Sequence, residues 1–411
     1  MNDIPALLAP AGGMRSLQAA LRFGADAVYL GAKSYGLRAQ AANFDDEQLA
    51  QAVQLAHASG AQVNLTLNIF ARDGDLQGML RTAHLARELG VDAVIVSDLG
   101  AIARIARDVP GLAVHVSTQA NATNSETARV YKSLGASRVV LARELTMEDI
   151  ERMSRELNGE IELETFVHGA ACMAYSGRCM LSSYMNGRSA NRGACSQPCR
   201  WTYALRERQR PDEFFPIEED ENGTAILSSR DICMIDHLPR LMSSGVCCFK
   251  IEGRMKNELY VATVVGAYRR AMDAIARDPQ AYAADGSLRE ELHAELDKVS
   301  HRIYDTGFYF GQPQVSGGAV GVTQGAEYVA YVLDVTGGEA LVEMKNRFFV
   351  GDRLEAVTPR GSGPLTIGEI VLEGTGEHVN VVNVPGTLAR IPCWDGLEAG
   401  DLLRGPVRNR A

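Results

Sequence analysis

Cys172, Cys179, Cys195 and Cys199 fall within 28 residues of the chain, in the stretch ETFVHGAACMAYSGRCMLSSYMNGRSANRGACSQPCR from Glu164 to Arg200. A fifth, Cys233, follows in Ser228-Ser229-Arg230-Asp231-Ile232-Cys233. Soft thiolates brought to one place bind an iron–sulfur cluster or a zinc ion. Structural zinc commonly uses Cys-x-x-Cys knuckles, whereas the gaps here hold six, fifteen and three residues. Ligands spread over a long insertion and a neighbouring strand point toward iron–sulfur, with zinc the alternative because spacing does not identify a metal. Cys247, Cys248 and Cys393 read as small core residues. A covalent hydrolase would use Cys172 as nucleophile and His168 as its base. That reading leaves the other cysteines without a role, and the chain contains neither His-Glu-x-x-His nor Gly-x-Ser-x-Gly.

The formal charge of −10 opposes indiscriminate attraction to nucleic acid, so RNA contact requires a local basic surface. One candidate runs from Arg178 to Arg210 through Arg188, Arg192, Arg200, Arg206 and Arg208, with Glu207 its only acid. The same arginines also read as a solvated face or as counter-charge to thiolates.

The elements that must position these groups repeat one pattern: a helical stretch, a glycine, two or three small or polar residues, then a short apolar run. It occurs at Gly24, Gly60, Gly90, Gly111, Gly135, Gly159, Gly223 and Gly245. Glycine suits the left-handed end of a helix, and the apolar run suits a strand of a parallel sheet buried on both faces. With an opening strand around Ile4 to Leu8 there are nine candidates, one more than an eight-stranded βα barrel holds. No Gly-x-Gly-x-x-Gly links the first strand to its helix, which favours the TIM-like barrel over an open doubly wound sheet. Chemistry in a barrel gathers at the carboxyl ends of the strands. The polar residues expected there are Asn68, Ser97, Asp98, Ser117, Gln119, Arg143, Glu144, His168, Arg230, Asp231, Lys250, Glu252 and Arg254.

The expected organisation is an α/β protein: a βα barrel over 1–277 with a cysteine-rich insertion at about 170–222, a helical connection over 278–325, and a small β-barrel domain over 326–411. Strands are expected at Tyr328 to Val335, Glu339 to Lys345, Leu354 to Thr358, Leu365 to Leu372 and Val379 to Val384, with turns at Gly337-Gly338 and Gly361-Ser362-Gly363. The start lacks a basic segment followed by a long apolar one, and no stretch reaches membrane-spanning length, so a cytoplasmic protein with reduced cysteines is expected.

Glu164 to Cys172, Ser176-Gly177-Arg178-Cys179 and Asn191 to Arg200 together resemble the signature of the collagenase-like peptidase family U32. Leu8-Ala9-Pro10-Ala11-Gly12, Gly24 to Gly31 and Lys250 to Lys256 extend the resemblance over nearly the whole chain. The resemblance implies oxygen-independent hydroxylation rather than proteolysis. Its tRNA branch forms 5-hydroxyuridine at the wobble position with prephenate as hydroxyl donor; other branches hydroxylate a ribosomal RNA cytidine or the quinone ring. It also implies a [4Fe-4S] cluster held by Cys172, Cys179, Cys195 and Cys233, with Cys199 the runner-up ligand. tRNA and prephenate are the expected partners. Prephenate is an anion, which assigns Arg143, Arg230, Lys250 and Arg254 as its cationic contacts. Each has an ion-pair alternative: Arg143 with Glu144, Arg230 with Asp231, and Lys250 and Arg254 with Glu252. The competing readings are a collagenase-like peptidase and a zinc-scaffolded RNA-binding module.

Overall fold

Short runs of small and branched apolar residues form nine strands in the first two-thirds of the chain. They are β1 (Ala6–Pro10), β2 (Ala27–Gly31), β3 (Gln62–Leu67), β4 (Ala93–Val96), β5 (Ala113–Val116), β6 (Arg138–Val140), β7 (Glu162–Ala170), β8 (Asp231–Cys233) and β9 (Cys248–Ile251). The structure is a computed structural model describing residues 4–39, 41–172, 174–201, 219–220, 223–224, 229–284, 286–313, 322–393 and 396–408. β9, β1 and β2 to β7 run parallel in that order, and pairing of β9 with β7 closes an eight-stranded barrel. The apolar run expected as a strand after Gly223 lies outside the described residues, while Gly223–Thr224 pairs with Glu219–Asp220 outside the barrel. The added strand is β8, antiparallel to the end of β7 with Cys233 opposite His168.

The helices between the strands are α1 (Met14–Arg22), α2 (Asp46–Ala58), α3 (Asp73–Glu88), α4 (Leu99–Asp108), α5 (Ser125–Ser133), α6 (Met147–Leu157), α7 (Leu181–Asn186), α8 (Leu238–Met242) and α9 (Glu258–Arg277). Their starts follow capping chemistry: Asp45 and Thr146 accept from the backbone N–H three residues on, and Gln48 and Asp149 answer them in capping boxes. Their ends use the repeated glycines, all but Gly223 recorded with positive φ, from +76° at Gly60 to +97° at Gly135. Apolar faces of the helices cover the outside of the barrel in one continuous core. No helix among the described residues is long and apolar enough to cross a membrane.

Residues Ala326–Thr336, Glu339–Met344, Arg353–Thr358, Gly361–Thr366, Val371–Leu372, Leu388–Pro392 and Leu402–Pro406 build a seven-stranded antiparallel sheet around a second core. Gly361-Ser362-Gly363, expected as a turn, opens a strand, and the turn is Pro359-Arg360 between the paired Thr358 and Gly361. This is an edge strand, where glycine and Pro364 are tolerated because one side of the ladder is unpaired. Leu388–Pro392 and Leu402–Pro406 were not anticipated. Buried Arg404 donates to Glu295 at 2.7 Å and to Glu355 at 2.8 Å, tying the sheet to the helices that follow the barrel.

Candidate active site at the barrel mouth

β7 carries the chain to the mouth. At its end Gly169 has φ +103°, and a Cβ there would lie 2.4 Å from the backbone oxygen of Glu252, so glycine lets this strand end against the loop after β9. The chain then turns through Ala170 and Ala171 to Cys172. Two cavities meet at Cys172. One, of about 190 Å³, is lined by Arg143, Glu144, Cys172, Arg230, Asp305 and Gln312 among others. The other, of about 140 Å³, is lined by Arg38, Cys172, Cys195, Cys199, Arg200 and Glu252 among others.

Three cysteines of the insertion therefore face one space. Burial pushes the Cys199 thiol up in pKa against the pull of Arg200, while Cys172, Cys195 and Cys179 lie near enough to add to the rise. The backbone N–H of Gln197 donates to the Cys195 sulfur at 3.4 Å, and Asn191 holds the Cys179 carbonyl at 3.2 Å. Cys233 is not brought to this group. It sits in the core behind β7, its sulfur 3.9 Å from the Tyr268 hydroxyl, and burial pushes its pKa up to about 12. The register that sets Cys233 opposite His168 turns its thiol toward Tyr268 on α9, away from the cavity that Cys172, Cys195 and Cys199 line. Among the described residues no three cysteine, histidine or carboxylate side chains converge closely enough to hold a single metal ion.

The four cations expected to meet an anion divide into two pairs. Arg143 lies over the Phe166 ring at 3.8 Å and reaches Glu252 at 3.4 Å, and its buried Nε has no partner among the described residues. Arg230 also has a buried, unpartnered Nε. Both line the larger cavity. Lys250 and Arg254 line neither: Lys250 donates to Glu164 at 2.8 Å inside the barrel, and Arg254 donates to Thr66 at 2.7 Å. Burial lowers Arg254 to about 10. The alternative ion pairs also differ from expectation. Arg143 pairs with Glu252 rather than Glu144, Asp231 pairs with Arg302 at 2.6 Å rather than Arg230, and Lys250 pairs with Glu164 rather than Glu252.

Glu144 is left with a buried carboxylate oxygen lacking a partner, and burial raises its pKa although Arg143 opposes the shift. Burial also disfavours charge on Glu252, but Arg38, Arg143 and Arg254 outweigh it and hold that carboxyl below its usual range. His168 is walled by the rings of Tyr260, Tyr268 and Tyr304, neither ring nitrogen has a partner, and burial lowers its pKa to about 3. It forms no hydrogen bond to Cys172, so the nucleophile and base of a cysteine hydrolase are not assembled. Sequence reasoning missed Arg38, which reaches the site from the loop after β2 and pairs with Glu252 at 3.5 Å. Only spatial closure reveals it. Of the basic segment, Arg178, Arg188, Arg192 and Arg200 are described; Arg206, Arg208 and Arg210 lie outside the described residues.

The family described as Peptidase family U32 matches residues 12–318, and the Peptidase family U32 C-terminal domain matches residues 324–404. The chain is 37% identical over 406 residues to tRNA hydroxylation protein P1 of Bacillus subtilis, covering 97% of this chain and 94% of that protein. It is 35% identical to tRNA hydroxylation protein P of Escherichia coli, over 96% of this chain and 95% of that one. It is also 35% identical over 322 residues to a protein named collagenase from Porphyromonas gingivalis, covering 76% of this chain and 75% of that protein.

Proposed function

From the premise that this chain belongs to peptidase family U32, we propose that it is an oxygen-independent RNA hydroxylase that forms 5-hydroxyuridine at the tRNA wobble position with prephenate as hydroxyl donor. The relatives that match almost end to end support tRNA as the substrate class. One observation carries the reading: Cys172 is the shared wall between a cavity lined by two arginines and a cavity bearing the cysteine group.

The thiols suit a [4Fe-4S] cluster better than zinc. A cluster spreads its thiolates over the corners of a cube, so its ligands need not converge on a point as those of one ion must. Cys172, Cys179 and Cys195 would hold it, with Cys199 the fourth thiol of the group. Bound there, it supplies redox chemistry that side chains lack. The protein's part is orientation and charge. Arg143 and Arg230, which line the larger cavity, hold the carboxylates of the donor. Arg38 and Arg200 set positive charge beside the thiolates, and Glu144 places at the cavity wall a carboxyl whose pKa burial raises.

Anaerobically purified chain should be brown and contain iron and sulfide, and cells lacking it should lose the hydroxylated wobble uridine from total tRNA digests. Colourless protein carrying zinc, or an unchanged nucleoside profile, would exclude the proposal. The peptidase reading predicts collagen cleavage that needs no iron and is lost in Cys172→Ala.

A further inference from the structure

The outer face of the cysteine segment has a composition of its own. From Cys172 to Trp201 it holds four arginines and no aspartate or glutamate, in a chain whose net charge is −10. It also presents several large side chains to solvent within thirty residues. Tyr184 is 84% exposed, Tyr175 55% and Trp201 40%, and Met180 and Met185 are exposed beside them.

This exposure does not come from a loosely tethered loop. Tyr184 sits on α7, where the Ser182 hydroxyl accepts from the Ser196 N–H at 3.1 Å and Asn186 donates to the Ser196 hydroxyl at 2.6 Å. Arg192 clamps the segment to Asp75 at 2.8 Å and to the Phe70 carbonyl at 2.9 Å. Rings held outward on an anchored scaffold are available as a contact surface, and Tyr184 is the most exposed of them. Ser196 follows Cys195 directly, so this surface adjoins the cysteine group.

We infer that this face binds the unpaired loop of an RNA, with Tyr184 stacking on a base and the exposed Arg178, Arg188 and Arg200 meeting the phosphates. The inference rests on the RNA reading above and deepens it by naming where the substrate sits. Charge selects the occupant: a local positive field on an acidic protein recruits a polyanion, and exposed aromatic faces add a preference for bases that are not already stacked. A duplex offers no free base faces and a major groove too deep for side chains, so it gains only the charge contribution.

The test uses the full chain and two labelled RNAs, a hairpin with an unpaired loop and a continuous duplex of the same length, compared by fluorescence anisotropy. Wild type should prefer the hairpin, Tyr184→Ala should weaken hairpin binding about tenfold with duplex binding unchanged, and Tyr184→Phe should bind like wild type. Equal hairpin affinity in wild type and Tyr184→Ala would overturn the inference. So would sedimentation showing a wild-type dimer that Tyr184→Ala converts to monomer, since a second copy would then be the occupant. Tyrosine-dependent hairpin binding by a protein that hydroxylates no RNA would leave the surface standing and remove the proposed reaction. Full activity and affinity without the ring would do the reverse.

Discussion

The barrel interior and the barrel mouth both bury charge, and they treat it in opposite ways. Inside, Glu164 is fully buried and receives Lys250 at 2.8 Å and Arg138 at 3.4 Å, and these cations outweigh burial to hold its carboxyl below the usual range. At the mouth, among the described residues, Arg143 and Arg230 each keep a buried Nε without a partner, and Glu144 keeps a buried oxygen without one. Buried polar groups are nearly always paired in a finished structure. Asn64 and His115 inside the barrel also keep unpartnered polar atoms among the described residues, so the contrast lies in the charges: the interior pairs its cations with Glu164, while Arg143 and Arg230 line a cavity, which supports the proposed anion site there.

Removing a charge from each region should separate them most sharply. Lys250→Met leaves the buried Glu164 with Arg138 alone, and losing a partner from a buried ion pair costs up to about 3–5 kcal/mol; urea denaturation should show that loss. A smaller effect would mean that Glu164 takes up a proton and the network is not needed for stability. The cysteines divide along the same line. Cys233→Ser buries a hydroxyl in the core beside Tyr268 and should cost about 1–3 kcal/mol while iron content stays at the wild-type level. Cys199→Ser should lose iron and leave the apoprotein's denaturation midpoint where it was. The opposite pattern would return Cys233 to the ligand set and require β8 to rearrange when the cluster binds.

What the sequence revealed, and what it hid, follows from the range over which each feature is decided. The seven glycines with positive φ mark helix ends within a few residues of the strands they precede, so the barrel could be read from local pattern. The partner of Arg143 is Glu252, 109 residues away, and that of Lys250 is Glu164, 86 away. Nearest neighbours in the chain suggested Glu144 and Glu252 instead, because side-chain direction across a closed barrel is not written in local spacing. The same limit applied to Cys233: its nearness in sequence to the cysteine segment was visible, but the register that turns it toward Tyr268 was not. At the β domain the failure was of another kind. An edge strand needs little apolar patterning, so Gly361-Ser362-Gly363 looked like a turn.

The mouth makes two weaker predictions that still distinguish it from the interior. Arg230→Gln should raise KM for prephenate about tenfold, about 1.4 kcal/mol of binding, with no change in denaturation midpoint. A fall in stability would reclassify Arg230 with Lys250. Glu144 gives the smallest effect, and its sign is fixed. Burial raises its folded pKa above the unfolded value, so the folded state holds this proton more tightly and the contribution to stability is complete at low pH. As pH rises through the folded pKa that contribution is lost. Wild type should therefore match Glu144→Gln more closely at about pH 4 and fall behind it toward about pH 7. His168 works the other way, since burial lowers its pKa from 6.5 to about 3 and the unfolded chain gains protons as pH falls below 6.5. It is present in both proteins, so comparing their urea midpoints cancels it. A wild type that gains on the variant with rising pH would show Glu144 stabilised as an anion, already satisfied like Glu164 rather than waiting at an open site.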